Sequence, residues 1–148
     1  MYELVKARAI DRHTGRNRCE PAENGVTLSQ EDVDRLTSQS KVVYIPTALT
    51  GEQDGHGGEA ACRSMGKRLQ RISIGDGNIT CLDLATATQK EIEDTFTHSV
   101  DLVYMECGNT FYLQYHINNS NLKSVLLPHL ESGAVYVGSS AGTIVAGV

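Results

Sequence analysis

The residues best equipped for chemistry in this chain are a serine set among small neighbours, Gly138-Ser139-Ser140-Ala141-Gly142, entered directly from the apolar run AVYV at 134–137. A serine hydroxyl is a poor nucleophile at its free pKa. An enzyme that uses one must bring a base to it and supply donors for the oxyanion that forms. G-x-S-x-G meets the presenting half of that demand: small residues two before and two after the serine permit a sharp, strained turn from strand to helix. The amide that follows the serine then points into the oxyanion site. Ser140 is the nucleophile candidate, Ser139 the variable residue, and TIVAGV the start of the helix. The alternative for the same residues is a tight turn whose glycines serve packing and whose serines cap the helix.

A second cluster, Cys107-Gly108-Asn109-Thr110, follows the apolar run DLVYM at 101–105. Open α/β sheets assemble their sites at the carboxyl ends of strands, so the two clusters are expected to face one crevice, Gly108 and Asn109 offering amides opposite Ala141. A base is harder to find. None of the eight residues after Ser140 is ionisable, and the histidines are His13, His56, His98, His116 and His129. His56, in a glycine-rich loop after the first strand, is the candidate for a substitute base, while the others read as helix or arm residues. Asp54, His56 and Glu59 lack the four ligands of a structural metal site and have no cysteine nearby. The loop from Gly51 to Gly58 lacks the G-K-[ST] of a phosphate loop. No metal, nucleotide or other cofactor is therefore expected.

The elements that must hold these clusters alternate short β-branched runs with longer amphipathic ones, the pattern of a parallel sheet covered by helices. Strands are expected at 41–46, 79–83, 101–105 and 134–137, with TALTGEQDGHGG as a loop and a helix from near Glu59 to Arg68–Arg71. Thr88 and Glu91 have the spacing of a capping box for a helix from Gln89 to Thr97. FYLQYHI and NLKSVLLPHLES give two more helices. SQEDVDRLTSQS gives a short one with Ser29 as N-cap and Asp32 at N3. Residues 1–40 are expected to be a variable segment of the same domain, and 1–148 one partial α/β domain.

With 40% apolar and 21% charged residues in 148, the chain can bury one core. Its formal charge of -5 argues against a surface that neutralises nucleic-acid phosphates. Cys19, Cys62, Cys81 and Cys107 form no C-x-x-C pair and read as reduced thiols in a cytoplasmic setting. No stretch reaches the length of a signal peptide's apolar run or a membrane span. The expected partner is a small peptide, with no nucleic acid and no membrane.

YMECGNTFYL followed by LESGAVYVGSSAGTIVAG resembles the dipeptidase E and cyanophycinase family of serine peptidases, in which a G-G-N-T-type loop precedes a G-x-S-A-G elbow. The resemblance runs from about Lys41 to the end. It implies a class I glutamine amidotransferase-like fold, a three-layer α/β/α sandwich with a mainly parallel sheet, and hydrolysis of peptide bonds next to aspartate in small substrates. Matched by position, Ser140 is the nucleophile, the amides of Gly108 and Ala141 form the oxyanion hole, and Asn109 shapes the substrate-side loop. Cys107 departs from the pattern, standing where the family usually has glycine, and the charged YELVKARAI is a poor first strand. In that family the triad's acid and histidine follow the nucleophile, so the chain is expected to be the N-terminal part of such an enzyme, its C-terminal part missing. Alone it is expected to be inactive, with uncovered apolar surface that favours self-association. The competing expectation is a non-catalytic binding or regulatory protein that keeps the elbow as scaffold.

Overall fold

The structure, a computed structural model, describes residues 30–52 and 57–147. Four parallel strands, β1 (Val42–Ile45), β2 (Ile79–Cys81), β3 (Leu102–Met105) and β4 (Val135–Gly138), form one sheet in the order β2-β1-β3-β4. β1 lies between two neighbours and beneath helices, and all four of its side chains are buried. A strand covered on both faces has no reason to alternate. β3 and β4 do alternate, with Val103, Met105 and Tyr136 in the core and Leu102, Tyr104, Val135 and Val137 half-buried. β2, at one edge, is mostly exposed.

The helices are α1 (Gln30–Gln39), α2 (Thr47–Thr50), α3 (Gly57–Gln70), α4 (Gln89–Thr95), α5 (Thr110–Asn118), α6 (Leu122–Glu131) and α7 (Ala141–Val145). The chain moves from β1 outward to β2 and then returns past β1 to β3. Because crossovers are right-handed, that reversal sends the intervening helices to opposite faces. α3 covers one face, where Ala61 and Met65 pack on Tyr44. The other face carries the larger core: Val43, Ile45, Val103, Met105 and Tyr136 pack against Ile92 and Phe96 of the α4 region, Leu113 of α5, and Leu122 and Leu126 of α6. The result is the expected helix, sheet and helix layering.

Most elements fall within a few residues of expectation. The capping box at α4 has both halves: the Thr88 hydroxyl accepts from the Glu91 amide at 3.2 Å, and the Glu91 carboxylate accepts from the Thr88 amide at 2.7 Å. α3 begins at Gly57 rather than near Glu59, and α4 ends at Thr95 rather than Thr97. Ser29, the expected cap of α1, lies outside the described residues, as do YELVKARAI, His13, Cys19, Asp54 and His56.

Two readings are corrected. TALT is a single helical turn, not loop, because Thr47 and Thr50 donate to the Asp83 carboxylate at 2.9 and 2.7 Å and so tie the turn to the end of β2. Cys62 and Cys81 are not separate thiols. α3 lies over the β2 side of the sheet, which brings their Cα atoms to 5.9 Å, and the two form a disulfide. Cys107 is the free cysteine among the described residues.

Candidate functional site

β3 and β4 are paired in parallel, with Met105 opposite Gly138, so the residues that follow each strand emerge side by side. The ladder runs one residue further: the Ser139 amide donates to the Met105 carbonyl at 2.9 Å. The chain then turns at Ser140 with φ 46° and ψ -102°. A non-glycine residue at positive φ costs of order 1–3 kcal/mol and persists only where its surroundings fix it.

Those surroundings are specific. The carbonyl of Ser140 accepts from the amides of Thr143 and Ile144 at 2.9 and 3.0 Å, which starts α7. Tyr136, buried and with its phenol pushed up to about 12 by desolvation, donates to the Gly142 carbonyl at 2.6 Å. The Thr143 hydroxyl donates back to the Gly138 carbonyl at 2.8 Å. A side chain at Gly142 would collide with the backbone of Met105. The small residue is therefore required by the close approach of α7 to β3. Ser140 itself is exposed, and its hydroxyl has no hydrogen-bond partner among the described residues.

The turn after β3 is equally constrained. Gly108 has φ 132°, and a Cβ there would strike the Ala48 carbonyl. The Asn109 amide donates to that same carbonyl at 2.9 Å, and the Asn109 side-chain oxygen caps α5 by accepting from the Tyr112 amide at 3.0 Å. Gly108→Ala is expected to destabilise the fold by about 2–4 kcal/mol, the sum of backbone strain and overpacking. A urea midpoint measured at unchanged m-value gives the loss directly. A change below about 0.5 kcal/mol would show that the turn is not held this tightly.

The sequence therefore places Gly108 and Asn109 after β3, and Ser140 and Ala141 after β4, at the carboxyl ends of two paired strands. The amides of Gly108 and Ala141 have no acceptor among the described residues; Gly108 is half-buried and Ala141 fully buried. The histidines do not join this group. His129 bonds through Nε2 to the Phe96 carbonyl at 2.8 Å, and His116 stacks on Tyr112 with ring centroids 4.5 Å apart. His98 is exposed, and none of the three bonds to Ser140. Among the described residues no cluster of three metal-ligating side chains exists, and no helix is long and apolar enough to cross a membrane.

Two residues escaped the sequence reading. Glu106, directly after β3, accepts the Tyr44 hydroxyl at 2.8 Å through Oε2 and the Cys107 amide at 2.9 Å through Oε1. Burial, and then the Glu106 carboxylate, pushes the Tyr44 phenol far above its ordinary value, so it stays a neutral donor. Burial and the same carboxylate also push the Cys107 thiol up, against a hydrogen bond with Ser139. The signal in the sequence was a carboxylate set immediately after an apolar strand; Tyr44, far away in sequence, carried none.

Comparison with known proteins gives a consistent picture. The model of Peptidase family S51 matches residues 15–148. The chain is 30% identical over 107 residues to the uncharacterized peptidase Lmo0363 of Listeria monocytogenes, covering 70% of this chain and 47% of that protein. It is 33% identical over 64 residues to the uncharacterized peptidase PM1590 of Pasteurella multocida, covering 43% of this chain and 30% of that one. In three dimensions it is similar to the crystal structure of a candidate peptidase E protein from Listeria monocytogenes EGD-e. The TM-score is 0.60 at 28% identity, over 81% of this chain and 59% of the other. The chain thus spans about half or less of the length of these curated relatives.

Proposed function

The chain belongs to peptidase family S51, and on that premise we propose that it carries the nucleophile half of a serine-type peptidase acting on small, aspartyl peptides. The observation that carries this reading is the geometry of Ser140. It is an exposed serine at positive φ, unbonded through its hydroxyl, between a parallel strand and a helix. The side chain of a serine that served only as a cap would accept within the first turn of the helix; the Ser140 hydroxyl does not.

In the proposed mechanism Ser140 Oγ attacks the scissile carbonyl. The negative charge that develops on the carbonyl oxygen is met by the amides of Gly108 and Ala141, both without other acceptors among the described residues. Asn109 holds the first of these turns in place and lines the substrate side of it. Preorganised amides of this kind cost no reorganisation when the charge appears, and removing one oxyanion donor typically costs about 10²–10³ in turnover. No described residue supplies a base to Ser140. We propose that the acid and histidine of the triad come from sequence after residue 148 in a longer form, in the order serine, acid, histidine. The alternative is a binding or regulatory protein in which the same turn is scaffold. The covalent test is a fluorophosphonate, which labels an activated serine and spares a capping one.

A further inference from the structure

Between the carboxyl ends of β1 and β3, where the strand order reverses, a cavity of about 300 Å³ opens beneath α3. Open α/β sheets bind ligands at that switch point. Tyr44, Ala61 and Met65 form much of its wall, and Glu106 and Cys107 close it on the side of β3. Cys107 immediately precedes Gly108, and the amide of Ser139, next to Ser140, donates to the Met105 carbonyl two residues before Cys107, so a group held here lies beside both turns of the candidate site.

Glu106 is the one carboxylate lining the cavity among the described residues, and it is half-buried. Its two oxygens are fixed by neutral donors, the Tyr44 hydroxyl and the Cys107 amide. A carboxylate offers about four acceptor positions, and the Cys107 thiol faces it as well, so about one or two are left, together with a charge that forms no ion pair among the described residues. Arg68 also lines the cavity but makes no ion pair with Glu106. An ion pair gains strength where water is partly excluded, as beside a half-buried carboxylate. Ser64 and the exposed Arg68, also in the lining, make no bond to Glu106, which leaves the pairing to whatever enters.

We propose that Glu106 is a specificity-determining residue that receives a cationic nitrogen of the peptide substrate, held beside the oxyanion turn. The proposal deepens the peptidase reading and rests on it only in assigning the bound peptide as substrate. The ammonium can be the free amino terminus of a short peptide or the side chain of a lysine. Both offer N–H donors and a positive charge, and Ala61 and Met65 in the wall accept a short alkyl stem next to either. An aspartyl side chain would be repelled from this position, so an aspartyl peptide would place its amino terminus here and its carboxylate elsewhere.

The experiment follows backbone amide shifts of the 148-residue chain during titration with four probes: Ala-Ala, N-acetyl-Ala-Ala, N-acetyl-Lys-Ala and N-acetyl-norleucyl-Ala. The expected result is that shifts concentrate at Ala61, Met65 and Cys107. At least one ammonium-bearing probe should bind about tenfold or more tightly than its uncharged partner, the selectivity of a charge-assisted hydrogen bond. Preference within the first pair identifies the amino terminus, and preference within the second identifies a basic side chain. Glu106→Gln should abolish the preference of each ammonium-bearing probe over its uncharged partner. The proposal is overturned if charged and uncharged probes bind alike to the wild-type chain, if none binds more tightly than about 10 mM, if the shifts lie elsewhere, or if Glu106→Gln keeps the preference. The wild-type comparison needs no variant, so a misfolded Glu106→Gln would not rescue a failed proposal. Because the readout is binding, its failure leaves the role of Ser140 standing, and loss of the peptidase reading leaves the selectivity of Glu106 standing.

Discussion

Exchange of Ser140 for alanine, in a longer form that hydrolyses short aspartyl peptides, is expected to lower kcat by about six orders of magnitude with little change in KM. The magnitude is that found for loss of the nucleophile in a serine peptidase, where only binding and the oxyanion hole are left to act. KM should hold because Ser140 is exposed and makes no hydrogen bond through its side chain. Deleting its hydroxyl therefore disturbs neither the turn nor the neighbouring cavity. The amides of Gly108 and Ala141 should still bind a carbonyl oxygen, so a residue of about 10³–10⁴ over the reaction in water should remain. Steady-state kinetics on both proteins measure the ratio. A fall of less than tenfold would mean that Ser140 only opens α7 and that the chemistry is done elsewhere.

The 148-residue chain tested alone is expected to show a deficit of comparable size. Ser140 without a base stays protonated, and none of the described histidines reaches it: His129 bonds to the Phe96 carbonyl, His116 packs on the rings of Tyr112 and Tyr115, and His98 is exposed with no bond to Ser140. Turnover should fall about 10⁶-fold below that of a form carrying an acid and a histidine after residue 148. Progress curves with an aspartyl dipeptide, compared with buffer, read this directly. Turnover of the 148-residue chain at the 1–10³ s⁻¹ usual for enzymes would contradict it and point to a base supplied from upstream, with His56→Ala as the first variant to make. Two inactive forms, long and short, would favour the binding or regulatory protein.

The parts of the fold legible in the sequence are those decided locally. VVYI, LVYM and VYVG announce themselves as strands by their apolar, β-branched runs, and Thr88 with Glu91 marks the start of α4 because a capping box needs only two residues three apart. Cys107-Gly108-Asn109 and Gly138 to Gly142 were legible as turns for the same reason: the backbone at Gly108 and the approach of α7 to β3 tolerate no side chain. What was hidden depends on distant partners. TALT becomes a helical turn only because Asp83, arriving from the end of β2, accepts from both of its threonines. Cys62 and Cys81 meet only once α3 lies across the sheet. Glu106 has chemical meaning only when Tyr44, on the neighbouring strand, aims its hydroxyl at it. Sequence spacing carries no record of such meetings, because they are set by the order of strands in the sheet.

The most direct test of the account is covalent labelling of a longer, peptide-hydrolysing form with a fluorophosphonate, followed by mapping of the adduct by mass spectrometry. The reagent reacts with a serine whose hydroxyl is activated by a base and whose adduct is held by oxyanion donors. The expected result is one adduct per chain, on Ser140, with activity lost in proportion to labelling and with no adduct in Ser140→Ala. An adduct on a different serine, or full hydrolytic activity with Ser140 unlabelled, would contradict the assignment of Ser140 as the nucleophile.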